Sequence, residues 1–151
     1  MAYVSGDQPT PGCLFCTALL ALDDPKHRIL DRASRAFLIL NAFPYASGHL
    51  MAATNRHVAS PEDLEDEEHL DLMRVTRRGL GALRAAYRPE GFNLGVNIGR
   101  AAGAGVEGHL HLHIVPRWTG DTNFMPVVGS VKVMPESLDE TFRRLLPHLA
   151  S

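Results

Sequence analysis

The chain is short of cysteine, of net charge and of long apolar runs, and each shortage closes off a class of protein. Its two cysteines, Cys13 and Cys16, stand three positions apart. In a reducing compartment such a pair is a metal half-site or a redox couple more often than a structural disulfide. Fifteen basic against seventeen acidic side chains leave a formal charge of -2, so no global positive field draws the protein to nucleic-acid backbones or anionic membranes. Any phosphate it handles must be held by local groups. No stretch is apolar for long enough to span a bilayer, and residues 1–12 lack the basic start and apolar run of a secretory signal. The expectation is a cytoplasmic protein with neither a nucleic-acid nor a membrane partner.

What is there suits one packed core: 151 residues, 45% of them hydrophobic, fall in the size range of a single domain. Residues 1–12, rich in Pro, Gly and Ser, are expected to be flexible, with one domain over 13–151. Residues 13–22 read as a short helix stopped before Pro25. Residues 35–43 and 48–53 read as antiparallel strands joined by Pro44-Tyr45-Ala46-Ser47. Ser60 as N-cap, Pro61 in the first turn and Asp63 at the capping-box position open the longest helix, which Leu72, Thr76, Leu80, Leu83 and Tyr87 continue at helical spacing. Its early acids and late arginines complement the helix dipole and call for no ligand role. Residues 92–98 alternate like a strand, 99–108 form a glycine-rich loop, 109–115 are a strand ended by Pro116, and a last helix covers 137–146. This order predicts an α+β fold: an antiparallel sheet of about five strands, with one long and one or two short helices on one side.

The compositional oddity is eight histidines, three of them in Gly108-His109-Leu110-His111-Leu112-His113-Ile114. On a strand, alternation puts the three imidazoles on one face and the aliphatic residues on the other, with successive histidines about 6.5–7 Å apart around one ligand. Two chemistries remain open from the residues: a catalytic metal held by several histidines, or a histidine nucleophile whose neighbours bind phosphate. The loop Gly99-Arg-Ala-Ala-Gly103-Ala-Gly105 leads into a strand and lacks Lys followed by Ser or Thr, so it is neither a dinucleotide fingerprint nor a P-loop. Bare amides at Gly103 and Gly105 can still cradle a phosphate, and a plain surface turn remains the alternative. Cys13-x-x-Cys16 stays open as a redox pair, half a zinc site or two small core residues. His27, His69 and His148 read as solvated surface groups.

These residues together resemble the histidine triad family. The segment His109-Leu-His-Leu-His-Ile-Val-Pro-Arg117 matches its His-x-His-x-His-x-x motif, and the likeness extends to Cys13-Leu-Phe-Cys16, to Asn41 eight residues before His49, to His57 eight residues after it, and to Gly95-x-Asn97-x-Gly99. The resemblance implies cleavage of nucleotidyl phosphoanhydrides or phosphoramidates through a covalent nucleotidyl-histidine on the middle histidine, here His111. It further implies that His113 bonds the attacked phosphate, His49 supports the triad, Asn41 contacts the ribose, Asn97 reaches a phosphate oxygen and Phe15 lines a base pocket, with a core phenylalanine as the alternative for Phe15. In a zinc-binding subset, residues matching Cys13, Cys16, His57 and His109 close a structural site, and no organic cofactor is implied.

Residues 116–124, which include Trp118, Asn123 and Phe124, resemble a bacterial branch associated with diadenosine tetraphosphate phosphorylases. That implies an adenine nucleotide substrate and inorganic phosphate rather than water as acceptor; Trp118 itself reads as a stacking surface for a base or as a buried or interface tryptophan. A homodimer or higher homo-oligomer is expected. The alternatives are an adenosine phosphoramidase and a nucleotide-binding sensor with little turnover. Ala104-Gly105-Val106-Glu107 departs from the Gln and Ser or Thr of many members and removes a side-chain contact to the phosphate.

Overall fold

A computed structural model describes residues 9–121 and 136–149. Most of the segment expected to be flexible, together with Asn123 and Phe124, lies outside the described residues. Strands β1 (Ile29–Arg32), β2 (Ala36–Leu40), β3 (Leu50–Thr54), β4 (Gly91–Val96) and β5 (His111–Arg117) form one antiparallel sheet in the order β1-β2-β3-β5-β4. Helices α1 (Leu14–Leu20), α2 (Asp24–His27), α3 (Asp66–Tyr87) and α4 (Leu138–Leu145) surround it. This is the expected α+β class. No helix among the described residues is long and apolar enough to cross a membrane.

The helices do not all lie on one side of the sheet. Leu38, Leu50, Ile114, Val75, Leu83 and Leu145 pack between the sheet and the α3 and α4 layer, while Phe37, Ile39, Met51 and Ala53 pack with Phe15 and Ala18 of α1 on the opposite face. Covered from both sides, every residue of β2 and β3 is buried, which is why these strands read as unbroken apolar runs. Helix α3 sits close on the sheet at Gly79, where a Cβ would stand 3.1 Å from Leu38 Cδ1.

The long helix starts later than Ser60. Pro61–Asp63 make a single tight turn, and α3 begins at Asp66 with a capping box between Glu65 and Glu68. Ser60 spends its hydroxyl on the Glu62 carboxylate. Pro116 does not end β5 either, because the Arg117 carbonyl accepts from Glu90 N–H on the β4 side. Pro116 is one residue out of phase, so its nitrogen faces the β3 side, where pairing has already stopped at Leu50 opposite Ile114. Neither α2 nor β1 was expected. Yet Asp23 caps α2 by accepting from Lys26 N–H at 3.4 Å, and Arg28 ends it at φ 59°.

One glycine fixes how the chain enters β3. Gly48 has φ +82°, and a Cβ there would lie 2.8 Å from Leu83 Cδ2 on α3. This sharp entry delivers His49 to the α1-side face beside the histidines of β5.

Candidate active site

The central position of β5 places its histidines. Register sets Ala53 and Met51 of β3 opposite His111 and His113, and Gly95 of β4 on the other flank of His113. Leu110 and Ile114 point into the α3-side core, so the predicted alternation of faces holds, although β5 begins at His111 and His109 lies just before it. His111 lies 5.0 Å from His113 between ring centroids, and His113 lies 5.1 Å from His49.

Hydrogen bonds assign the protons. The Nδ1 of His111 is 2.8 Å from the carbonyl oxygen of His109. A carbonyl only accepts, so Nδ1 carries the hydrogen and Nε2 keeps its lone pair. Tyr45 N–H donates to His49 Nδ1 at 3.1 Å. The His49 proton is therefore on Nε2 and is donated to His113 Nδ1, 2.9 Å away, which leaves the His113 proton on its outer nitrogen, Nε2. Asn41 Nδ2 is 3.3 Å from His49 Nε2, a contact between two donors in this tautomer and hence no hydrogen bond. Asn41 Oδ1 accepts from Phe43 N–H at 2.7 Å.

All these rings favour the neutral state. Burial, with the charge of His113 and His111 adding to it, pushes His49 down to about 4. Burial also lowers His111, against the hydrogen bond to the His109 carbonyl, and burial and then His111 lower His113. Tyr45 stands over this pair, 4.5 Å from the His49 ring and stacked 6.0 Å from that of His113, while remaining 73% exposed.

Beside the nucleophile candidate, Cys13, Cys16, His57 and His109 bring four donor atoms within 4.8 Å of one another. His109 donates from Nε2 to the Thr54 carbonyl at 2.6 Å, which turns its bare Nδ1 toward Cys13 Sγ at 3.4 Å and Cys16 Sγ at 3.5 Å. Cys16 Sγ is also 3.4 Å from His57 Nδ1. A tetrahedral zinc with bonds of about 2.3 Å to sulfur and about 2.0 Å to nitrogen spaces sulfur and nitrogen about 3.5 Å apart, so the donor set fits that ion. Gly108 allows the approach, since a Cβ there would be 3.0 Å from His57 Nε2.

The remaining candidates divide. Extending the β4 register one residue past Val96, which faces Leu112, sets Asn97 level with His111. Gly103 N–H is spent on the Arg100 carbonyl at 3.0 Å and is not free for an anion. Trp118 is half-buried and stands five residues beyond His113, about 16 Å along an extended chain, so the structure does not gather it with the histidines. Phe15, only 1% exposed, offers no open face to a base and packs against the rings of His109 and His111 instead. Tyr45 and Thr54 were not singled out in the sequence. Tyr45 contributes a backbone N–H as well as its ring, and Thr54 a backbone carbonyl; no residue pattern announces the two backbone groups.

A family model described as the HIT domain matches residues 23–120. An AP-4-A phosphorylase of Mycobacterium tuberculosis is 42% identical over 130 residues, covering 86% of this chain. The chain spans 66% of that relative's length. Among solved structures, a Zn-bound histidine triad family protein from Mycobacterium smegmatis superposes with a TM-score of 0.73 at 28% identity, over 91% of this chain and 93% of that one. A hypothetical histidine triad nucleotide-binding protein from Sulfolobus tokodaii gives 0.70 at 25% identity, over 91% and 89%.

Proposed function

The chain belongs to the HIT domain family of histidine triad proteins, and from that premise we propose that it transfers an adenylyl group from a dinucleoside polyphosphate through His111. The observation that carries this reading is the bond from His111 Nδ1 to the His109 carbonyl, which holds the imidazole in the tautomer with a free Nε2. In the first step that lone pair attacks the nearer adenylyl phosphorus of diadenosine tetraphosphate. The Nε2–P bond forms, the bridging P–O bond breaks and ATP leaves. As positive charge develops on the ring, the Nδ1 proton stays shared with the His109 carbonyl. His113, donating from Nε2 because His49 occupies its Nδ1, bonds the phosphoryl oxygens. In the second step inorganic phosphate attacks the adenylyl phosphorus, His111 is released and ADP is formed.

The 42% identity to an AP-4-A phosphorylase supports phosphate as that acceptor. Asn41 and Asn97 flank the histidines for ribose and phosphate contact. Cys13, Cys16, His57 and His109 would hold a zinc that supplies a structural cross-link and no open coordination position, a role supported by the Zn-bound relative. A single domain over residues 13–151 with a cytoplasmic location completes the reading. Among the described residues β4 is an edge strand, and the exposure of Leu94 on it and of Ile98 just past its end, 45% and 49%, supports a homodimer.

The test is product chromatography with diadenosine tetraphosphate across a series of phosphate concentrations. ADP rising at the expense of AMP supports the phosphorylase, and AMP throughout makes the enzyme a hydrolase. The internal use of the Gly103 amide loosens the grip on a second anion, and this favours two rivals. Turnover of adenosine phosphoramidate alone selects a phosphoramidase, and saturable binding with no product selects a nucleotide sensor.

A further inference from the structure

A single hydrogen bond at Nδ1 fixes which nitrogen of His111 is protonated, but it leaves the ring plane free to rock about that bond. In-line attack needs the Nε2 lone pair aimed at phosphorus, so something must hold the plane. His113 meets the ring nearly edge-on, at 70°. Phe15 packs more nearly flat against it, 4.8 Å from the His111 centroid and inclined by 35°.

The same phenylalanine is 5.1 Å from the His109 ring and packs edge-on against Phe37 at 6.3 Å. With 1% of its surface exposed, Phe15 is enclosed by Phe37 of β2 and the two imidazoles. Its own position is set by its neighbours in sequence. Cys13 is the N-cap of α1 and Cys16 lies within it, so both sulfurs of the four-residue cluster sit on the segment that carries the ring. The cluster also reaches His111 by a second route, because the His109 ring belongs to it while the His109 carbonyl receives the His111 proton.

We propose that Phe15 is a positioning residue for His111, transmitting the state of the Cys13, Cys16, His57 and His109 cluster to the plane of the nucleophilic imidazole. The inference rests on the reading of His111 as nucleophile. It assigns the phenylalanine between the cysteines a task other than lining a base pocket. Assembly of the cluster fixes α1, α1 fixes the Phe15 ring, and the ring fixes the direction of the Nε2 lone pair. Substrate affinity is untouched by this chain of contacts, because a buried ring meets no part of the nucleotide.

The experiment compares the full-length wild type with Phe15→Leu and Phe15→Met, each first checked for zinc content and for thermal unfolding. Both variants keep apolar bulk and lose the flat ring. The expected result is a kcat about 10- to 100-fold lower, with KM and the dissociation constant of AMP within about threefold of wild type. Nitrogen-15 imidazole spectra supply a readout that needs no turnover. In wild type His111 gives one sharp set of resonances with the proton on Nδ1; in the folded, zinc-bound variants that tautomer is kept, but its resonances shift and broaden as the ring samples several orientations. Removing zinc from the wild type with a chelator is expected to move them in the same direction. A folded, zinc-bound Phe15→Leu with unchanged kcat and an unchanged His111 spectrum overturns the proposal. A His111 spectrum indifferent to zinc removal overturns the coupling to the cluster. A wild type that shows the single tautomer but turns over no nucleotide sinks the functional reading instead, and the spectra of the variants still decide the role of Phe15.

Discussion

The Nε2 of His49 and the Nδ1 of His113 stand 2.9 Å apart, with Tyr45 N–H donating to the far nitrogen of His49. His49 is therefore a fixed neutral donor behind His113. Replacing it with Ala removes the group that keeps the His113 proton on Nε2, the nitrogen proposed to bond the phosphate. His49→Ala is expected to lower kcat by about 10- to 100-fold, while zinc content stays unchanged and nucleotide affinity moves by less than about fivefold. Steady-state kinetics with an AMP titration check this. An unchanged kcat would mean that His113 needs no such partner.

The depressed titration of His49 makes stability depend on pH. In the folded chain it accepts a proton only near 4, against 6.5 for an unperturbed imidazole. Between those values the unfolded chain binds more protons than the folded one, so stability falls as pH drops from about 6.5 toward 4 and is flat for this group above that window. The loss from His49 alone is on the order of 3 kcal/mol. Urea unfolding from pH 7 to pH 4 should show the slope, and His49→Phe should make it shallower. An equal slope in that variant would assign the acid sensitivity elsewhere.

Zinc content should approach one ion per chain, and Cys13→Ser should lower both metal content and melting temperature. A closed site with four protein donors would offer no position for substrate, so a metal held there would serve the scaffold. Activity lost on chelation with the fold intact, and restored only by zinc, would move the metal into the chemistry.

Gly48 is the point where backbone and packing constrain one another. At φ +82°, with Leu83 Cδ2 2.8 Å from any added Cβ, Gly48→Ala is expected to cost about 2–4 kcal/mol from combined strain and overpacking. Chemical denaturation measures it. A change below the resolution of the experiment would show that Leu83 relaxes freely.

The strand of histidines was legible because period-two alternation survives any tertiary context: Leu110 and Ile114 went to the core and His111 and His113 to the other face. The four cluster residues were legible only through resemblance, since the spacing of Cys13 and Cys16 is compatible with several chemistries until the fold brings His57 and His109 beside them. Other features left weak marks in the sequence. The start of α3 was misread because Ser60 and Pro61 carry every sign of a helix start, yet they close a single turn; the working capping box is Glu65 with Glu68, an acid pair hidden among the other acids of that stretch. Pro116 looked like a strand end, and only the register shows that its missing N–H faces the β3 side, where pairing has stopped at Leu50 opposite Ile114. The helix α1 on the second face could not be inferred from element order, and with it came the burial of Phe15.

The central claim is that His111 carries the adenylyl group, and mass spectrometry of the enzyme quenched during turnover of diadenosine tetraphosphate addresses it directly. The peptide containing His111 should gain the mass of one adenylyl group. The adduct should be labile to acid as a phosphoramidate is, should be depleted when phosphate is present in excess, and should be absent in His111→Ala, whose turnover should fall by about three orders of magnitude or more while AMP still binds. Products formed at a normal rate with no adduct on that peptide, or by His111→Ala at near wild-type speed, would contradict the account.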